Sequence, residues 1–126
     1  MSFSFGKKSR ERLATCHPDL QTICNELIKE LDVTILCGFR PEEDQRSAFI
    51  NGFSKLEWPR SKHNKTPSEA VDMAPYPVDF KDISRFIDMC NRIKRIADEL
   101  KIKIRQGRDF SFKDYPHTEL HDKHKK

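Results

Sequence analysis

The sequence predicts an α+β domain, a small and mainly antiparallel sheet flanked by helices. Two stretches carry apolar residues at helical spacing, one early in the chain and one beyond residue 82. Short β-branched or alternating runs read as strands between and after them. These strands cluster around two polar motifs, Ser61–Asp72 and Asp114–Leu120, whereas helical patterns dominate the first half.

Taken in order, residues 1–10 read as a frayed basic arm. His17-Pro18 opens a helix, since proline is tolerated in a first turn, and His17 is a capping or surface residue there. Leu20, Ile23, Cys24, Leu27 and Leu31 bury one face of that helix. Asp32–Cys37 reads as a strand ending at Gly38. A second helix starts at Pro41, with Glu42, Glu43 and Asp44 favoured in its first turn by the helix dipole, and Gly52 stops it. Residues 53–69 lack periodicity and form a long loop, of the kind that is usually functional or disordered. Trp58-Pro59 argues for a packed loop lining a site. Ala70–Ala74 is a strand ended by Pro75 and Pro77.

The longest helix begins at Asp79. Ile83, Phe86, Ile87, Cys90, Ile93, Ile96, Ala97 and Leu100 form its apolar face. Arg85, Arg92, Lys94, Arg95 and Asp98 line the opposite face, which reads as solvated because no aromatic residues interleave for nucleic-acid stacking. Lys101–Arg105 alternates as a strand, Gly107 turns the chain back, and Tyr115–Leu120 is the final strand, presenting His117 beside Asp72. The charged tail, with His121 and His124, is expected to be disordered.

The 126 residues suffice for a single domain spanning 1–126, with one core and flexible ends at 1–10 and 121–126. Hydrophobic residues make up 36% and charged residues 35%, so the core is modest and the surface highly charged. A net charge of +4 suits approach to a polyanion, whether wall polymer, nucleic acid or anionic lipid. No apolar run is long enough to span a bilayer, and Met1–Arg10 has no apolar segment of the signal-peptide kind. The expectation is of a cytosolic product without stable membrane insertion. Cys16, Cys24, Cys37 and Cys90 lack Cys-x-x-Cys spacing and lie in or near apolar segments, as buried thiols would.

The chemistry concentrates in the two polar motifs. His63, Asp72 and His117 can supply three ligands to zinc and leave a fourth position for water, the pattern of a catalytic zinc site. Asp72 lies within an apolar strand, where a charge is costly unless paired or metal-bound. Asp114, three residues before His117, is placed to handle protons. A His–Asp pair is also a common structural hydrogen bond, and residue types alone leave both readings open. Arg40 could anchor a substrate carboxylate or pair with the acids after it. Gln45 reads equally as a site residue or a helix-surface amide, Lys62 and Lys65 as solvated charges, and Ser61 as a turn residue or a hydrogen-bond donor to bound peptide.

As a set, Ser61-x-His63 with Ala70-x-Asp72, then Asp114-x-Pro116-His117-x-Glu119-Leu120, resembles the D-alanyl-D-alanine carboxypeptidase (VanY-like) zinc peptidases. The small phage endolysins that act as L-alanyl-D-glutamate peptidases match best. Gly38-Phe-Arg40 with Gln45 resembles the family's upstream element, and Gly107-Arg-Asp109-Phe110 resembles its Gly-Gly-Asp-Trp run. The usual pattern Ser-x-His-x-x-Gly-x-Ala-x-Asp is lengthened here by Thr66-Pro67-Ser68, which puts His63 and Asp72 nine positions apart and removes the glycine.

The resemblance implies a Hedgehog/DD-peptidase-like fold and Zn2+ held by His63, Asp72 and His117. It further implies Asp114 as general base and then acid, with Arg40 and Ser61 orienting a peptidoglycan stem peptide. Such an endolysin is expected to be monomeric, to use no nucleic acid, and to reach the wall from the host cytoplasm through a separate holin. Two alternatives are a D-alanyl-D-alanine carboxypeptidase and a small basic binding module with structural zinc. The cysteines lie away from both motifs, against the usual ligand set of a structural zinc.

Overall fold

The computed structural model describes residues 3–125. Four helices, α1 (Lys7–Leu13), α2 (Pro18–Leu27), α3 (Glu42–Ile50) and α4 (Ile83–Leu100), surround a four-stranded sheet. Its strands are β1 (Val33–Cys37), β2 (Ala70–Pro75), β3 (Ile104–Gln106) and β4 (His117–Leu120). They run in the order β1-β2-β4-β3, and every pairing is antiparallel. The expected α+β class and sheet type are therefore observed.

Local chemistry explains most boundaries. The His17 ring accepts from the Asp19 amide at 3.0 Å and Pro18 occupies the first turn, so α2 starts where the sequence indicates. Leu20, Ile23, Cys24 and Leu27 bury its inner face. Gly52 takes a φ of 79°, the left-handed conformation that a residue with a Cβ resists, just past the end of α3. Asp82 caps α4 through the Arg85 amide, so that helix starts later than Asp79. The buried face of α4 is Phe86, Met89, Cys90, Ile93, Ile96 and Ala97. Ile83, Ile87 and Leu100 lie at its exposed margin instead, and Met89 takes a core position that the sequence reading omitted. An 18-residue helix offers only a stripe to one sheet, narrower than the full set of apolar residues it carries.

Two terminal expectations need correction. Within the arm expected to fray, residues from Lys7 form α1, with Phe5, Ser9 and Leu13 buried. The reason is the outer edge of β1. Ser9 Oγ accepts from the Ile35 amide at 3.0 Å, and Arg12 Nη1 donates to the Ile35 carbonyl at 3.0 Å. The helix thus satisfies an edge strand that would otherwise expose unpaired backbone. The tail is anchored as well. The His124 ring bonds Asp19 at 2.7 Å and accepts from the Lys103 amide. Residues 1, 2 and 126 lie outside the described residues.

The four cysteines are free thiols; Cys16, Cys24 and Cys90 are buried, and burial pushes the Cys16 thiol up to about 12. The cations on the outer face of α4 are paired, Arg92 with Asp88 and Glu30, Arg95 with Glu30 and Glu99, and Lys94 with Asp98. No helix among the described residues is long and apolar enough to cross a membrane.

Candidate active site

The central strands β2 and β4 carry the site. Asp72 pairs directly with His117 across them, and residues opposed in an antiparallel pair point to the same face. His63 comes from the long loop, which is not structureless there: Lys62–Asn64 make one turn of 3-10 helix. Ser61 Oγ accepts from the His63 amide, while Asn64 Oδ1 accepts from the Ser61 amide, a reciprocal cap. The loop is pinned to the chain after β1 by Arg40 N–H donating to the His63 carbonyl at 2.8 Å.

Both imidazoles converge on one carboxylate oxygen. His63 Nε2 lies 3.2 Å and His117 Nδ1 3.1 Å from Asp72 Oδ1. The far nitrogen of each ring has its own acceptor. His63 Nδ1 donates to the Gly38 carbonyl at 2.8 Å, and His117 Nε2 donates to Glu119 Oε1 at 2.8 Å. Burial disfavours charge on both rings, yet the Asp72 carboxylate outweighs it at His63, raising that ring to about 10, and Asp72 together with Glu119 raises His117 to about 9. Burial likewise opposes charge on Asp72, but the two rings hold its carboxyl far below the usual range.

Two imidazoles and one carboxylate are donor types that zinc takes. Each ring turns one nitrogen toward a shared point while the other is fixed by a hydrogen bond, the arrangement that orients metal-binding histidines. Asp72 belongs to two groups whose potential ligand atoms lie within 4.8 Å of one another, Cys37–His63–Asp72 and Asp72–Asp114–His117. The Cys37 neighbour was not anticipated. A β-bulge between Ile35 and Cys37 shifts the register so that Cys37 opposes Asp72.

Asp114 completes the set. It lines the same cleft of about 650 Å³ as His63, Asp72 and His117. Its carboxyl is raised above the ordinary value by burial and by the Asp72 charge, partly offset by His117, His63 and Arg40. Gly107 makes its position possible: a Cβ there would stand 2.0 Å from the Asp114 carbonyl oxygen. The Asp114 amide donates to the Gly107 carbonyl, and the His117 amide to the Asp114 carbonyl. One tight turn therefore sets Asp114 and His117 together.

Arg40 faces the site rather than the acids that follow it. Its Nη2 lies 3.7 Å from Asp72 Oδ2, and its Nη1 donates to Gln45 Oε1 at 2.9 Å. Gln45 is fully buried, so the helix-surface reading fails; its amide nitrogen donates to Ser54 Oγ and the Leu56 carbonyl. Lys62 is not a solvated charge either. It reaches the Leu120 carbonyl, Asp122 at 2.8 Å and Glu119 at 3.8 Å. Ser61 lines the cleft, with its hydroxyl engaged in the turn. Trp58 lies apart from the cleft, beside Arg46, Phe49 and Ile50. Phe53, Phe110 and Phe112 also line the cleft, Phe110 with its ring centre 5.6 Å from that of His117 and Phe112 with Lys55 Nζ 4.7 Å from its ring centre. His17, His121 and His124 do not line the cleft.

Sequence reasoning passed over Glu119 as a site residue. It is 7% exposed in a strand, and the signal available was its place two residues after His117, on the same face of a period-2 strand.

The chain is similar to known peptidases over nearly its whole length. Residues 1–125 match the model of the phage L-alanyl-D-glutamate peptidase family. The L-alanyl-D-glutamate peptidase of Escherichia phage T5 is 34% identical over 125 residues, covering 95% of this chain and 90% of that protein. The crystal structure of the Serratia marcescens L-Ala D-Glu endopeptidase ChiX superposes with a TM-score of 0.80 at 25% identity, covering 94% of this chain and 90% of that one.

Proposed function

The chain belongs to the phage L-alanyl-D-glutamate peptidase family, and from that premise we propose that it is a zinc-dependent endolysin cleaving the L-alanyl-D-glutamate bond of peptidoglycan stem peptides. The observation that carries the reading is the convergence of His63 and His117 on Asp72 inside a cleft that also holds Asp114.

His63, Asp72 and His117 would hold the zinc, which would supply Lewis acidity for activating water and polarising the scissile carbonyl. Asp114 takes a proton from the attacking water and returns it to the leaving amine as the amide C–N bond breaks. Its raised pKa suits both halves of that task, because a carboxylate of ordinary acidity holds a proton too weakly. Arg40, kept in place by Gln45, offers a planar pair of donors to a substrate carboxylate. Ser61 contributes by shaping the turn that carries His63.

Digestion of defined muropeptides, with products weighed by mass spectrometry, tests the assignment. Products separated at the L-alanyl-D-glutamate bond are expected. Loss of a terminal D-alanine alone would make the chain a carboxypeptidase, and intact substrate in the presence of zinc would end the peptidase reading. The reading includes access to the wall through a holin. Cytoplasmic expression without one is expected to leave host cells intact, and lysis under that condition would refute this route.

A further inference from the structure

The far side of His117 is built as deliberately as the near side. Glu119 is almost fully buried, its Oε1 accepts from His117 Nε2 at 2.8 Å, and its Oε2 faces Arg105 at 3.4 Å and Lys62 at 3.8 Å. Lys62 comes from the turn that carries His63, and it also donates to the Leu120 carbonyl of β4. One lysine therefore ties the element bearing the first imidazole to the strand bearing the second.

We propose that Glu119 and Lys62 are a positioning pair for the metal centre: Glu119 fixes the tautomer and orientation of His117, and Lys62 fixes the spacing between the two histidine-bearing elements. A carboxylate accepting from Nε2–H commits that nitrogen to the proton, so Nδ1 is the one left to bind metal. His63 obtains the same service from a backbone carbonyl, that of Gly38. His117 sits on a strand whose carbonyls are committed to the sheet, so a side chain must do it. Alternation along β4 brings Glu119 to the same face two residues on. Lys62 then keeps Glu119 turned toward His117 while remaining bonded to β4.

The inference rests on the zinc reading above, and its test separates the two. Zinc affinity is measured by chelator competition for the full chain and for Glu119→Gln, Glu119→Ala, Lys62→Met and Lys62→Arg. The His117 tautomer is read by long-range 15N–1H correlation in the zinc-loaded proteins, and melting of the metal-free forms reports folding. Glu119→Ala is expected to weaken zinc about 10- to 100-fold, the usual effect of losing such an outer partner. Glu119→Gln, whose amide oxygen still accepts, is expected to recover most of the affinity and the Nε2–H tautomer. Lys62→Met is expected to weaken zinc less than Glu119→Ala, with Lys62→Arg restoring it. Unchanged affinity in folded Glu119→Ala and Lys62→Met overturns the proposal. If Glu119→Ala fails to fold, wild-type affinity in folded Lys62→Met, or a His117 proton on Nδ1 in the zinc-loaded wild type, overturns the proposal. A wild-type chain that binds no zinc overturns the zinc reading itself.

Discussion

Asp72 and His117 stand directly opposite one another on β2 and β4, with His117 Nδ1 3.1 Å from Asp72 Oδ1. Two potential ligands are thus fixed by sheet register, the most rigid positioning a small domain offers. Only His63 depends on a loop, and that loop is capped, bonded to Arg40 and tied to β4 by Lys62.

His63→Ala, Asp72→Ala and His117→Ala are each expected to lose zinc and clearing activity together. Elemental analysis beside a peptidoglycan-clearing assay checks this. A full zinc complement in any one of them would remove that residue from the ligand set.

Asp114→Asn is expected to retain zinc and fold while losing hydrolysis by roughly 10²- to 10⁴-fold, the usual contribution of a positioned acid–base group. Steady-state rates on a defined muropeptide, with metal content measured on the same sample, provide the check. A near-normal rate would move the proton-handling role elsewhere.

Gly107→Ala places a methyl group against the Asp114 carbonyl oxygen, which is backbone and cannot swing aside. The turn holding Asp114 and His117 must shift. Loss of kcat on the order of 10²-fold is expected, as for an ångström-scale misplacement, in a protein whose circular dichroism is unchanged. Full activity would mean that the turn tolerates the displacement.

Zinc uptake is expected to depend steeply on pH. Metal takes neutral imidazole, and in the metal-free protein Asp72 holds a proton on His63 up to about 10 while Asp72 and Glu119 hold one on His117 up to about 9. Apparent affinity should therefore rise with pH through the neutral range, on the order of tenfold per pH unit for each proton expelled. Chelator-buffered titrations at several pH values measure the slope, and a flat profile would refute proton competition at these rings.

Much of the fold was legible because its signals are local. The His17-Pro18 start of α2, the glycine after α3 and the β-branched run of β1 each act through a few neighbouring residues. The arm that becomes α1 was not legible, since Lys7–Leu13 offers little apolar periodicity and its helix is held by bonds to β1 through Ser9 and Arg12. Gln45 and Lys62 were misjudged for the same reason. Polar side chains are exposed by default, and only distant partners such as Leu56 or Glu119 make burial affordable.

The sequence by itself determined most of the element types and the family resemblance, and it singled out His63, Asp72, Asp114 and His117 as candidates, because residue type and order carry that information. Tertiary structure alone decided how they meet. Register across β2 and β4 set Asp72 against His117, the close Gly107 contact left room for the Asp114 turn, and the Gly38 carbonyl and Glu119 came to face the outer nitrogen of each ring. Those are relations between residues far apart in the chain, fixed only when pairing and burial bring their backbones together.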